Sequence, residues 1–361
     1  MAHQRRLLPC SHRCLPAFTP LVHTPLQNEG MNHILGFHRF ASTQILAMGS
    51  PVTSGNPSID YFVSADRTEH PFRTKFATDQ EHYTEQVVLL DGIGMSYPKP
   101  ISKEARDGGA YEERGDVFRR IFNGTIEVDG LNVYTCAQHL FKLHPDFDDV
   151  LIDILARDEK AIVLLQEAKE AVQTNMVRRR LEGRCGQREG RAVCDRIVFS
   201  PRVNSVDFLH LLAASTVILH PFPFGGSKTS SDGLWCGTPV VVYPQVYLRG
   251  RLAQGFYYEM AKVDGFDYYE CCIAIKKEQY AAKAVRLGTD REYRRAIGGQ
   301  IRRTSGVIFE EESAAREWNR FLSRVLGVEG AAIADEKEEE RAANAAIMRD
   351  LQRRNAELPF T

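Results

Sequence analysis

Residues 215–244, STVILHPFPFGGSKTSSDGLWCGTPVVVYP, gather the side chains of this sequence best suited to chemistry. Gly225 and Gly226 permit either a positive φ or a close approach of backbone to a ligand. Ser227, Thr229 and Ser230 are candidate caps for a helix predicted over about residues 231–235, and Lys228 stands beside them. A helix start behind a glycine turn presents backbone N–H groups and the positive end of a dipole, which suits an anion. The same residues also read as an ordinary strand–turn–helix corner with solvated hydroxyls. Neither the G-x-x-x-x-G-K-[ST] loop nor the G-x-G-x-x-G fingerprint is present. Asp232, three positions after Thr229, is either a first-turn acid favoured by the dipole or an acceptor for a sugar diol. A second set lies upstream, where Lys142 follows His139 by one helical turn and can share its face. Its bland reading is a solvated lysine on an amphipathic helix. His220 reads as a satisfied strand-end histidine, and Arg249 and Arg251 as an exposed helix face.

These residues need a scaffold, and an alternation of strands and helices supplies one. Strands are expected over residues 132–135, 161–165, 196–199 and 216–219, with another opened by Pro239. Between them, helical spacing covers 139–143, 149–156, 167–181 and 205–214, and Gly237 marks the stop of the short helix before Pro239. Residues 248–262 continue the helical pattern, and from residue 276 onward the chain reads as helix throughout. Earlier strands are expected at 44–47, 60–63 and 85–90. Such alternation implies an α/β fold with a parallel sheet covered by helices on both faces. Ligands of open parallel sheets bind beyond the carboxyl ends of the strands. Three loops leave such ends, at 136–142, 200–205 and 222–232.

Composition excludes several function classes. With 46 Lys and Arg against 47 Asp and Glu, no bulk field favours nucleic acid or acidic lipid. Apolar runs reach only strand length, too short to span a membrane. The eight cysteines make no C-x-x-C pair and the histidines are scattered, so no metal pattern emerges. Reduced, mostly buried thiols in an intracellular compartment are therefore expected. Residues 1–28 lack acids and carry Arg5, Arg6 and Arg13, as an organelle transit peptide does. Pro9, Pro16, Pro20 and Pro25 would break its helix, so residues 1–34 are expected to form a disordered leader. Residues 99–128, charged and glycine-containing, read as a linker or insertion. Residues 328–361 read as a charged helical tail.

Residues 199–244, FSPRVNSVDFLHLLAASTVILHPFPFGGSKTSSDGLWCGTPVVVYP, resemble the C-terminal catalytic half of O-linked N-acetylglucosamine transferases of the SPINDLY-related type. The segments MGSPVTSGNPSIDYFVSAD, HYTEQVVLLDG, CAQHLFKLHPDFDDVL and AAKAVRLGTDREYRR match the same family in the same order, so the resemblance covers roughly residues 35–327. It implies a GT-B glycosyltransferase with two Rossmann-like domains facing across a cleft. Residues 35–98 would be the last part of the N-terminal catalytic domain, and 129–327 the domain that holds a uridine-diphosphate sugar. Carried over by position, Lys142 is the catalytic lysine at the diphosphate. The other implied substrate-binding residues are His139, Gly225, Gly226, Ser227, Lys228, Thr229 and Asp232. Lys228 and Thr229 hold phosphate oxygens, and Asp232 binds the ribose hydroxyls.

The implied reaction moves N-acetylglucosamine from UDP-N-acetylglucosamine to Ser or Thr hydroxyls of a protein acceptor. It inverts the anomeric centre and uses neither a metal nor any cofactor beyond the sugar nucleotide. An asparagine-directed glucosyltransferase is the variant within the class. The expected location is the cytoplasm or nucleus. Where animal members put a basic or histidine side chain near uracil, residues 205–208 offer none, which leaves Arg202, Asn204 or the backbone. The family's proposed acid–base histidine and its tetratricopeptide repeats precede the point where the match begins. The rival class is accordingly a binding module that holds UDP or a partner protein without transfer.

Overall fold

Among the described residues, nine short strands, each rich in β-branched and large apolar residues, form two parallel sheets. The computed structural model describes residues 20–23, 34–49, 53–69, 79–100, 114–245, 247–309 and 312–327. The first sheet runs β1 (Leu21–His23), β2 (Gln44–Ala47), β3 (Tyr61–Ala65) and β4 (Gln86–Leu90), in that order. The second has β5 (Asn132–Cys136), β6 (Ala161–Gln166), β7 (Ile197–Ser200), β8 (Val217–Leu219) and β9 (Val240–Val241), ordered β7-β6-β5-β8-β9. Chain order therefore reverses between β5 and β8, paired in register Tyr134↔Val217 and Thr135↔Ile218. A crevice opens at such a reversal, because the connections on either side leave in opposite directions.

The helices are α1 (Arg114–Ile121), α2 (Pro145–Arg157), α3 (Ala171–Arg188), α4 (Arg191–Cys194) and α5 (Ser205–Ala214). They continue as α6 (Lys228–Trp235), α7 (Leu252–Asp264), α8 (Lys277–Thr289), α9 (Arg291–Thr304) and α10 (Glu312–Leu326). α2 and α8 pack together, α8 over β5 and β8 and α2 over β6. At their junction Phe147, Phe222 and Tyr280 form an aromatic cluster, with Phe147 5.4 Å from Phe222 and 5.9 Å from Tyr280. The Tyr280 hydroxyl donates to the carbonyl of His220 at 3.0 Å and that of Val241 at 2.8 Å. The end of β8 is thus held from behind by a buried side chain. α10 returns to the first sheet, where Trp318, Phe321 and Leu322 pack on Ile45, Val63 and Leu90.

Several expectations are corrected. The linker expected over 99–128 contains α1, whose Val117, Phe118 and Ile121 are buried against Val133, Ile162 and Leu211. Its apolar residues return every three to four positions and share one face, which the charge of the segment masks. Residues 101–113 lie outside the described residues. Within the expected leader, Leu21–His23 pair with β2 as an edge strand. The helix expected at 167–181 lies at Ala171–Arg188, and that at 139–143 is a single 3-10 turn, Leu140–Lys142. The expected helical tail, 328–361, lies outside the described residues.

Not all thiols are free. Cys185 and Cys194 form a disulfide, because α4 folds back beside the last turn of α3 over Gly190, which has φ 85°. Cys136, Cys236, Cys271 and Cys272 are free and buried. Arg251, expected on an exposed face, is buried and ion-paired at 3.3 Å with Glu69, itself buried after β3. The sheet that carries Glu69 is the partner that a helical pattern around residue 251 cannot reveal. Among the described residues no helix is long and apolar enough to cross a membrane.

Candidate active site

The crevice between β5 and β8 is lined from both strand ends. From β5 the chain passes through Cys136, Ala137 and Gln138 into the 3-10 turn that ends in Lys142. The Lys142 ammonium crosses the crevice, donating to Oε1 of Gln138 and to the carbonyl of Gly225, both at 3.0 Å. It also lies 4.5 Å from the centre of the Phe224 ring, a cation–π distance. Burial lowers its pKa below the ordinary lysine value. The solvated-lysine reading is therefore replaced by a cation held over the glycine turn.

The turn is built for close approach, since neither Gly225 nor Gly226 has a positive φ. A Cβ on Gly225 would sit 1.7 Å from Cε1 of His220, and one on Gly226 would sit 2.1 Å from Nε2 of Gln138. The buried His220 ring fills the space over the turn and accepts the Gly226 N–H at Nε2, 3.1 Å away. Burial first of all depresses its pKa from 6.5 to about 4, so the ring is neutral. The turn is fixed from its other side too, because the Gly225 N–H donates to the Arg249 carbonyl at 2.9 Å.

α6 begins at Lys228, earlier than the expected residue 231, so Thr229 and Ser230 lie in its first turn and Ser227 takes the N-cap position. Ser227 makes no capping bond. Its hydroxyl is instead paired with the hydroxyl of Tyr97, 2.5 Å away and 130 positions upstream. The amide end of α6 thus faces the crevice without a cap from its own N-cap side chain. Thr229 is half-buried there, and the Ser230 hydroxyl turns back to the Gly226 carbonyl at 3.3 Å. One turn further, Asp232 is buried and ion-paired with the half-exposed Lys228. Burial raises the Asp232 pKa, and Lys228 opposes that rise.

His139 is exposed and stacks on Phe141 at 5.4 Å. Burial, then the charges of Lys142 and Arg202, lowers its pKa. This brings Arg202, from the loop after β7, within electrostatic reach of the same crevice. The Asn204 side chain is used elsewhere, its Oδ1 capping α5 by accepting the amides of Val206 and Asp207 at 3.0 and 2.9 Å. The structure therefore gathers Lys142, Gly225, Gly226, Ser227, Lys228, Thr229 and Asp232 at one crevice, with His139 at its rim. Among the described residues, no group of three or more His, Cys, Asp and Glu side chains could hold a metal ion. Sequence reasoning passes over Gln138, Phe224 and the supporting role of the His220 ring. The four-residue spacing of Gln138 and Lys142 is the one available signal.

A cationic crevice at a topological switch, with a helix start and a carboxylate one turn on, suits a nucleoside diphosphate. Comparison with known proteins bears on which family built it. The sequence model of glycosyl transferase family 41 matches residues 127–317, more than half the chain and all of the crevice. The chain belongs to that family. It is 26% identical over 209 residues to the UDP-N-acetylglucosamine–peptide N-acetylglucosaminyltransferase of Caenorhabditis elegans. That match takes in 54% of this chain and 17% of the worm protein. Among solved structures, a mutant O-GlcNAc transferase of Thermobaculum terrenum superposes with TM-score 0.64 at 20% identity, over 91% of this chain and 54% of that one. The sucrose-phosphate synthase of Thermosynechococcus elongatus follows with TM-score 0.52 at 13% identity, over 85% of this chain and 74% of that one. These likenesses establish the fold as Rossmann-like α/β of the GT-B type. The chain spans about half the length of the bacterial transferase and under a fifth of the worm enzyme.

Proposed function

We propose that the crevice between β5 and β8 binds a uridine-diphosphate sugar and that the chain supplies the donor side of a glycosyl transfer to protein. The observation that carries this reading is Lys142, held at 3.0 Å from the Gly225 carbonyl beside the uncapped start of α6. In sugar transfer the bond from the anomeric carbon to the diphosphate breaks, and the departing diphosphate gains negative charge. Fixed positive groups aimed at that charge act mainly in the transition state. Lys142 and the first amides of α6 are such groups, Lys228 adds a mobile charge beside them, and together they supply what a bound divalent cation supplies elsewhere. Asp232 accepts the ribose hydroxyls, while Arg202 or the 200–204 backbone meets the base, since the Asn204 side chain is occupied as a cap.

The donor we assign is UDP-N-acetylglucosamine and the acceptor a protein, as the worm relative's name suggests, with a Ser or Thr hydroxyl as the attacking group in keeping with the family resemblance. Attack by that hydroxyl on the sugar face opposite the diphosphate inverts the anomeric centre. No cofactor beyond the sugar nucleotide enters this scheme. Calorimetric titration of the purified chain with UDP tests the reading without knowledge of the acceptor. Saturable micromolar binding, followed by transfer of labelled sugar to protein, is expected. A well-folded sample that does not bind UDP refutes it.

A further inference from the structure

Lys228 and Asp232 stand one turn apart on α6, and their side chains form an ion pair. It differs from an ordinary surface pair because its two members are unequally buried. The carboxylate is 9% exposed, whereas the lysine side chain is 49% exposed. A carboxylate so far from water is costly to leave without a partner. The lysine, on a flexible stem at the first position of the helix, has solvent into which it can swing. In the donor site these two groups have separate roles, Asp232 with ribose hydroxyls and Lys228 with phosphate. Here each satisfies the other.

Resting on that donor-site reading, we propose that Lys228 makes the crevice selective for phosphorylated nucleotides by occupying Asp232 until a diphosphate draws it away. A free nucleoside must displace an ammonium from the carboxylate with two neutral hydroxyls, which hydrogen-bond the carboxylate without neutralising its charge and leave the ammonium with no anion. A nucleoside diphosphate brings its own anion. Its phosphates take the ammonium as its hydroxyls take the carboxylate, so neither the buried carboxylate nor the ammonium is left without a partner during the exchange. The two ends of the ligand are then coupled through a single side chain. Lys142 has no such part, since its ammonium is held by Gln138 and by the Gly225 carbonyl rather than by Asp232.

The test is the Lys228→Met variant, which keeps the apolar stem and removes the charge. Wild type and variant are titrated with uridine and with UDP by ligand-observed NMR, at about pH 8 so that Asp232 remains ionised. The variant should bind UDP about tenfold more weakly yet bind uridine about threefold more tightly. Lys228→Arg retains the cation and should leave uridine as weak as in wild type. A lysine with only a structural role moves both ligands in the same direction. Uridine binding by Lys228→Met that is equal to wild type, weaker, or unmeasurable in both proteins overturns the exchange while leaving the UDP site standing. Failure of wild type to bind UDP sinks the donor-site reading and the exchange with it.

Discussion

Replacing Gly225 by alanine separates a turn that needs close approach from one that merely needs flexibility. The new methyl would lie 1.7 Å from Cε1 and 2.1 Å from Nε2 of His220. Carbon atoms in contact rest at about 3.5–4.0 Å, so something must move. The ring cannot retreat easily, being 1% exposed, with Nε2 on the Gly226 amide at 3.1 Å and its own carbonyl held by Tyr280 at 3.0 Å. The turn is pinned as well, by the Arg249 carbonyl at 2.9 Å on one side and the Lys142 ammonium at 3.0 Å on the other. Overpacking a buried position costs about 1–3 kcal/mol. Gly225→Ala should therefore lose about that much stability in urea denaturation. The UDP dissociation constant should rise about tenfold or more, because the carbonyl that positions Lys142 shifts with the turn. His220→Ala, at a cost of its own, removes the obstruction. In that background the Gly225→Ala change should cost little, giving a coupling of about 1–3 kcal/mol in the double-mutant cycle. Strictly additive costs, or a Gly225→Ala protein with wild-type stability and UDP affinity, would refute the close-approach argument.

Other consequences are as direct. Asp232→Ala removes a charged acceptor from the proposed ribose site and should weaken UDP binding by about 1.5–3 kcal/mol, or about ten- to a hundredfold. A calorimetric dissociation constant that stays put would take Asp232 out of the site. Lys142→Met should lower kcat for sugar transfer more than it weakens UDP-sugar binding, since the charge it meets peaks in the transition state. Unimpaired turnover would reduce it to a packing residue. His220 has its pKa lowered from 6.5 to about 4, so its contribution to stability is complete above pH 6.5 and drains away as the pH falls towards 4. The loss amounts to about 3 kcal/mol. His220→Asn should flatten this acid arm of a pH–stability curve, and an unchanged slope would assign the arm to other groups.

What is legible in the sequence follows the range of the interactions concerned. The strand at 44–47 and the helix at 205–214 have the boundaries expected of them, because a short apolar run and an Asn204 cap act within a few residues. The alternation from residue 132 onward likewise announces a parallel sheet, and the loops at its strand ends contain the whole crevice. The start of α6 differs from expectation by about a turn because Ser227, Thr229 and Ser230 are all good caps. The choice among them is made by Tyr97, 130 positions away, which pairs with the Ser227 hydroxyl. Arg251 departs from its expected exposure for a similar reason, since its partner Glu69 lies 182 positions upstream. In α1, the charge of the segment outweighs three apolar residues whose common face becomes visible only once a helix is assumed.

The residues that sequence reasoning misplaces share a feature that bears on how the site works. Glu69 fixes Arg251 just before α7, and two residues earlier the Arg249 carbonyl receives the Gly225 amide. Tyr97, on the segment that leaves the first sheet after β4, reaches the far side of the same turn at Ser227. The glycine turn belongs by sequence to the second sheet, yet two of its supports come from or through the first. A shift of the first sheet against the second would therefore be felt as a displacement of the Gly225 carbonyl and of the start of α6. Those are the two places that set the position of Lys142 and the direction of the open amides. The first sheet thus serves the crevice as a brace, and positioning to within a fraction of an ångström is what the proposed stabilisation of a departing diphosphate requires.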